Sequence, residues 1–141
     1  MSGLLVTLQL GLIAALFATG PWLARHPAAL LAQLLAAALG GWAVWVMRRS
    51  KLRVAPEVAA GATLITAGPY RWIRHPMYTA VVLLAVALVA DAPSPLRVVL
   101  GLALLGVLAA KLTREERLLR AHFPGYTDYA RVTARLIPGL W

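Results

Sequence analysis

Two clusters in this 141-residue chain carry side chains able to do chemistry. The first is Gly68-Pro69-Tyr70-Arg71-Trp72-Ile73-Arg74-His75-Pro76-Met77-Tyr78. Gly-Pro makes a turn, and His-Pro puts Pro76 at the first position of a helix, where its missing N–H costs nothing. Free amides and the positive end of that helix would then face water beside Arg74 and His75, an arrangement that suits an anionic group. The same residues also read as an interfacial loop, with arginines snorkelling toward phosphates and tyrosines anchoring. The second cluster is Glu115-Glu116, carried with Lys111, Arg114 and Arg120 on one continuous helical stretch. Glu116 and Arg120 have i, i+4 spacing, which in isolation describes an exposed pair contributing only ~0.3–0.5 kcal/mol. Beyond it, His122-Phe123-Pro124-Gly125-Tyr126-Thr127-Asp128-Tyr129 breaks the helix. The stretch from Arg131 to Pro138 then reads as a basic amphipathic segment able to lie in the interface.

Other chemistries lose their residues. The chain has no cysteine, which removes disulfides, thiolate metal sites and thiol catalysis. His26, His75 and His122 are far apart, and no HExxH or paired-carboxylate spacing accompanies them, so no metal site is expected. Neither GxGxxG nor GxxxxGKS occurs, leaving no dinucleotide or P-loop signature. The five acids are Glu57, Asp91, Glu115, Glu116 and Asp128, and none falls in the first two apolar stretches. A proton-coupled exporter needs such an intramembrane carboxylate.

The elements that must position the two clusters are membrane helices. The chain is 61% hydrophobic and 13% charged, with a mean hydropathy of +0.76, too few polar groups to cover a water-facing surface. Leu4 to Leu23 and Ala28 to Met47 each approach the roughly 20 residues needed to cross ~30 Å of hydrocarbon. Met77 to Ala90 and Leu96 to Ala110 form a helical hairpin around Asp91-Ala92-Pro93-Ser94-Pro95, where prolines stop any helix. The fourth helix has no breaker and runs on to Ala121 before a C-terminal interfacial segment, 122–141. The expected fold is all-α: one domain, 1–141, of four transmembrane helices with a cytoplasmic loop at 48–76. The third helix is short and either borrows flanking residues, thins the bilayer or sits at partial depth.

Charge orients these spans. Arg48, Arg49, Lys51, Arg53, Arg71 and Arg74 fall in the middle loop, and Lys111, Arg114, Arg117, Arg120, Arg131 and Arg135 at or after the end of the fourth span. Only Arg25 and Arg97 fall opposite. That bias favours cytoplasmic N- and C-termini in a bacterial inner membrane. The net charge of +9 is therefore an orientation signal, with anionic lipid headgroups rather than nucleic acid as its neighbours. Met1-Ser2-Gly3 lacks a basic stretch, so the first span is expected to persist and not be cleaved as a signal. Small residues at Gly11 with Ala15 and Ala36 with Gly40 permit close helix contact, and a homodimer through Gly11 or Gly40 fits them. Trp22, Trp42, Trp45, Trp72 and Trp141 lie near segment ends as interfacial anchors.

Both clusters recur in one order elsewhere. Gly-Pro-Tyr-x-x-x-Arg-His-Pro-x-Tyr, an apolar hairpin, Glu-Glu-x-x-Leu, Phe-x-x-Tyr-x-x-Tyr and Arg-x-Ile-Pro together resemble the isoprenylcysteine carboxyl methyltransferase family and its phospholipid methyltransferase relatives. The likeness runs from about Gly61 to Pro138, with Ala80 standing where many members have glycine. The resemblance implies an integral membrane methyltransferase using S-adenosyl-L-methionine and a lipophilic or prenylated acceptor delivered through the bilayer. It implies cofactor contacts from Tyr70, Arg74, His75, Pro76 and Tyr78 on the loop side and from Glu115 and Glu116 on the emerging helix. Arg74 or Arg135 would act at the reacting end by holding an anionic part of the acceptor, with Tyr126 and Tyr129 at the membrane entrance. A site for S-adenosylmethionine needs acids near its amine or ribose hydroxyls and cationic or N–H donors near its carboxylate, and the two clusters offer both. The acceptor stays open among prenylated carboxylates, phospholipid amines, small thiols and quinone-like molecules. Three rivals stand beside this reading: an NADPH-dependent reductase related to sterol reductases, a non-enzymatic lipid-binding membrane protein, and an inert four-helix scaffold.

Overall fold

The computed structural model describes residues 2–48 and 63–139. Over them the chain is all-helical, with α1 Ser2–Ala18, α2 Pro27–Met47, α3 Pro76–Asp91, α4 Pro95–His122 and α5 Tyr126–Val132, and a 3-10 turn at Gly68–Arg71. Arg49, Lys51, Arg53, Glu57 and Trp141, and with them much of the expected cytoplasmic loop, lie outside the described residues. α2 and α4, of 21 and 28 residues, are long and apolar enough to cross a membrane. α1 and α3 are apolar but shorter, at 17 and 16 residues, or about 25 Å each. α1 stops at Ala18, earlier than the Leu23 expected from hydropathy. The Thr19 hydroxyl turns back to the Ala15 carbonyl at 2.8 Å, and Pro21 cannot extend the ladder.

α2 lies along α3, and α1 lies along α4 while also touching α3. One core joins Leu16 of α1, Tyr78, Ala85 and Leu88 of α3, and Leu104, Leu108 and Leu112 of α4. A smaller one gathers Ala43, Val46 and Tyr70, with Met47, Ile65 and Met77 against it. Close approach of α2 to α3 rests on small residues: a methyl added at Gly40 would stand 3.4 Å from the Ala80 Cβ. Gly40 thus packs against Ala80 inside the chain. The outward faces remain oily, with Leu4, Leu10, Leu31, Leu34, Val99 and Leu102 all more than half exposed. Helices apolar both inside and outside are what lipid, not water, accommodates.

The end of the bundle remote from the two clusters is locked by polar groups. The amides of Arg25 and His26 both donate to Asp91 Oδ1 at 2.7 Å, and Gln33 of α2 bonds the Ala24 amide and the Trp22 carbonyl. Arg97, one of the two basic residues sorted to this side, is 1% exposed. Its guanidinium donates to the carbonyls of Leu16, at 3.1 Å, and Leu88, in the last turns of α1 and α3. A cation there meets the negative ends of both helices and satisfies carbonyls that have no partner within them.

Candidate functional site

The loop before α3 is shaped first by Gly68. Its φ of +60° is one that side chains avoid, and a Cβ there would fall 2.7 Å from Val46 Cγ2. The turn therefore presses against the end of α2 and buries Pro69 and Tyr70. Past it, Ile73 forms a parallel bridge with Ala134, far along the chain. The Arg74 amide donates to the Ala134 carbonyl at 2.8 Å, the Ala134 amide to Trp72 at 3.0 Å, and the His75 amide to Arg135 at 3.3 Å. The Thr79 hydroxyl adds a bond to the Leu136 carbonyl at 2.8 Å. These contacts change one expectation. Of the free amides expected at the start of α3 beside Arg74 and His75, those of Tyr78 and Thr79 donate to the His75 carbonyl at 3.0 Å, while the Arg74 and His75 amides bond the C-terminal segment. Side chains, not a bare helix terminus, are left to bind a ligand.

Glu116 is where the two clusters are tied together. Its side chain is 3% exposed and accepts from Arg74 Nε at 3.0 Å and Arg135 Nη2 at 2.7 Å, with the exposed Arg120 at 3.5 Å and His75 Nε2 at 3.4 Å. The sequence expected only the Arg120 pair. Arg74 also donates through Nη1 to the carbonyls of Ala130, at 2.8 Å, and Thr133, so one guanidinium holds α4 and the end of α5. The hydrogen bond to Glu116 holds Arg135 firmly protonated, above the usual guanidinium range.

Glu115 faces the other way. Tyr78 donates its hydroxyl to Glu115 Oε2 at 2.6 Å, and the His75 ring stacks on the Tyr78 ring with centroids 5.5 Å apart. Tyr70, Arg74, His75, Pro76, Tyr78 and Glu115 together line one cavity with Met47 and Met77. Its volume is about 40 Å³, well below the ~300–1,000 Å³ of ligand clefts, so its wall must open to admit a molecule larger than water. The Tyr70 hydroxyl is buried and makes no hydrogen bond among the described residues, so the cavity wall carries an unspent donor. Burial raises the Tyr70 phenol above its ordinary range, and nearby Glu115 adds to the rise, so at neutral pH it is a neutral donor.

Tyr126, Tyr129 and Arg135, expected near the acceptor, sit in the C-terminal segment and do not line this cavity. Tyr126 is 1% exposed, its phenol pushed upward by burial. Tyr129 donates to the Tyr70 carbonyl at 2.6 Å, and burial pushes its phenol up to about 12 despite the opposing charge of Arg74. Tyr129 thus pins α5 to the Gly68–Arg71 turn. Met47 and Met77 were not singled out from sequence, since a methionine at a helix end carries no local signal of a wall. Lys111, taken there only as a basic flank, is 1% exposed. Among the described residues no three His, Asp or Glu side chains are grouped to hold a metal ion.

A cavity with a few polar groups, built from two distant chain segments at the end of a bundle with an oily exterior, is the setting of a membrane-embedded binding or catalytic protein. Comparison narrows that class: the chain belongs to the isoprenylcysteine carboxyl methyltransferase (ICMT) family, whose profile matches residues 28–121. The match includes α2, which carries none of the motifs quoted above. Similar proteins include the cobalt-zinc-cadmium resistance protein CzcN of Cupriavidus metallidurans, 38% identical over 79 residues. The nickel-cobalt-cadmium resistance protein NccN of Alcaligenes xylosoxydans xylosoxydans is 38% identical over 78 residues. Each alignment covers 55% of this chain and 37% of the relative, so the chain spans well under half of those longer proteins. No solved structure matches. Family and apolar helices together mark a membrane protein of a methyltransferase family.

Proposed function

We propose that the chain is an integral membrane methyltransferase that takes its methyl group from S-adenosyl-L-methionine and passes it to a lipophilic acceptor. α1 to α4 would all cross the bilayer, with both termini cytoplasmic in a bacterial inner membrane. The observation that carries the reading is the Tyr78–Glu115 hydrogen bond of 2.6 Å, which joins the loop cluster and the acidic cluster across one cavity. The donor set fits the cofactor: Glu115 can accept from an ammonium or ribose hydroxyls, while Arg74 and the unspent Tyr70 hydroxyl can donate to a carboxylate. When bound, S-adenosylmethionine supplies a methyl on a cationic sulfonium open to in-line displacement.

The chain's own part is alignment and dryness, which suits a protein so poor in ionisable groups. Glu116, with Arg74 and Arg135 on it, fixes the floor, and α5 closes the water side. On the acceptor side, Arg135, Tyr126 and Tyr129 act by holding the C-terminal segment in place, and Arg74 is the cation nearest the cavity for an acceptor's anionic end. Family membership favours transfer over the reductase reading, for which nothing in the cavity speaks. The metal resistance in the two relatives' names belongs to longer proteins and is not carried over.

Calorimetry on the purified full chain tests the cofactor. S-adenosylhomocysteine should bind, and NADPH should not; absence of the first affinity would end the reading. Labelled-methyl transfer into a total lipid extract, followed by mass spectrometry, would then identify the acceptor.

A further inference from the structure

Lys111 takes no part in the site described above, yet it is a cation buried to 1% exposure on an apolar stretch of α4. Its Nζ lies 2.5 Å from Gln9 Oε1 of α1 and 5.3 Å from the centroid of the Tyr78 ring. Packing alone does not ask for it, since an ammonium is costly to bury and an apolar side chain of similar length would fill the space at less cost. One neutral acceptor, one ring face and the charge of Glu115 a turn further along α4 are its compensation. The ammonium instead faces the side chain whose hydroxyl reaches Glu115, and Lys111 and Glu115 are spaced i, i+4 on the same side of α4.

We propose that Lys111 is a positioning residue, held by Gln9, whose charge on the Tyr78 ring fixes the Tyr78 hydroxyl on Glu115 and so sets the cofactor-facing carboxylate. The inference rests on the methyltransferase reading. It also gives α1 a part in the site, because that helix lies before residue 28, where the family match begins, yet supplies the acceptor that orients Lys111. A cation over an aromatic face is drawn to the ring and strengthens the phenol as a donor. Remove it, and the Tyr78 side chain and the carboxylate it holds are free to turn.

A double-mutant cycle on S-adenosylhomocysteine affinity tests this, measured by calorimetry on the full chain in detergent. Lys111→Met should weaken binding about tenfold, the scale of one desolvated cation–π contact, while the melting temperature stays level or rises. In a Tyr78→Phe background, where no hydroxyl reaches Glu115, the same substitution should cost less than about threefold, the non-additivity expected of residues acting through one another. Lys111→Arg should keep most of the affinity. Should Lys111→Met fail to fold, Gln9→Leu enters the same cycle, with a smaller shift and the same loss of effect in Tyr78→Phe. Equal penalties in both backgrounds, or none in the first, would overturn the proposal. Failure of the unsubstituted protein to bind would instead sink the methyltransferase reading, and this inference with it.

Discussion

Glu115 and Glu116 are neighbours in sequence but have opposite surroundings, and isosteric substitution should separate them. Glu116→Gln keeps the shape while removing the charge that Arg74 and Arg135 share at 3.0 and 2.7 Å. With the carboxylate 3% exposed, both guanidiniums would lose their counter-charge in a dry setting. Breaking one partner of a buried pair costs about 3–5 kcal/mol. The Arg120 contribution is small, because that side chain is 56% exposed. Taking ~3 kcal/mol as the floor, melting in detergent should fall on the order of 10 °C. Protease should also reach the segment around Thr133 sooner, since Arg74 anchors its carbonyl. Glu115→Gln should leave both readouts near their starting values. It should weaken S-adenosylhomocysteine binding by roughly 1.5–3 kcal/mol, the worth of a hydrogen bond to a charged group. The division of labour is refuted if Glu115→Gln lowers the melting temperature as much as Glu116→Gln does, or if Glu116→Gln leaves melting and proteolysis unchanged.

Two further outcomes concern other parts of the bundle. Arg97→Ala should destabilise by about 2–4 kcal/mol, removing the guanidinium donor from the Leu16 and Leu88 carbonyls and leaving a void between three helices; thermal unfolding checks this, and a shift under about 1 kcal/mol would contradict it. Tyr129 has its phenol raised from 10.0 to about 12, so it contributes stability in full below pH 10 and loses it as pH climbs toward 12. Melting curves at about pH 9 and about pH 11.5, on either side of the ordinary phenol range, should therefore converge more closely for Tyr129→Phe than for the unsubstituted chain.

The helices were legible because their signals are local. Pro76 and Pro95 sit at first helical positions, and Asp91-Ala92-Pro93-Ser94 is a stop that no periodicity can override. α2 and α3 begin and end within a residue of the stretches read from hydropathy, and α4 runs past its apolar stretch to His122, a residue beyond the Ala121 set by the lack of an earlier breaker. The first span ran too long because Leu23 is as oily as Leu16 on any scale, whereas Thr19-Gly20-Pro21 decides the matter sterically. At the site, Tyr70, Arg74, His75, Tyr78 and Glu115, which the motif order relates, line one cavity. The orientation of Glu116 was not readable, because its partners Arg74 and Arg135 lie 42 and 19 residues away and no spacing rule relates them. The same holds for Gln9 and Lys111, 102 residues apart, and for the bridge between Ile73 and Ala134. Pairing across such distances is written in tertiary packing alone.

That bridge has a bearing on how the protein is made. The Arg74 amide and guanidinium both wait for carbonyls between Ala130 and Ala134, which leave the ribosome nearly sixty residues after the loop they complete. α1, α2, α3 and α4 all precede those groups in the chain. A nascent chain halted short of Thr133 would hold the loop before α3 without the carbonyls that fix Arg74, so that loop is completed only after α4 has been made.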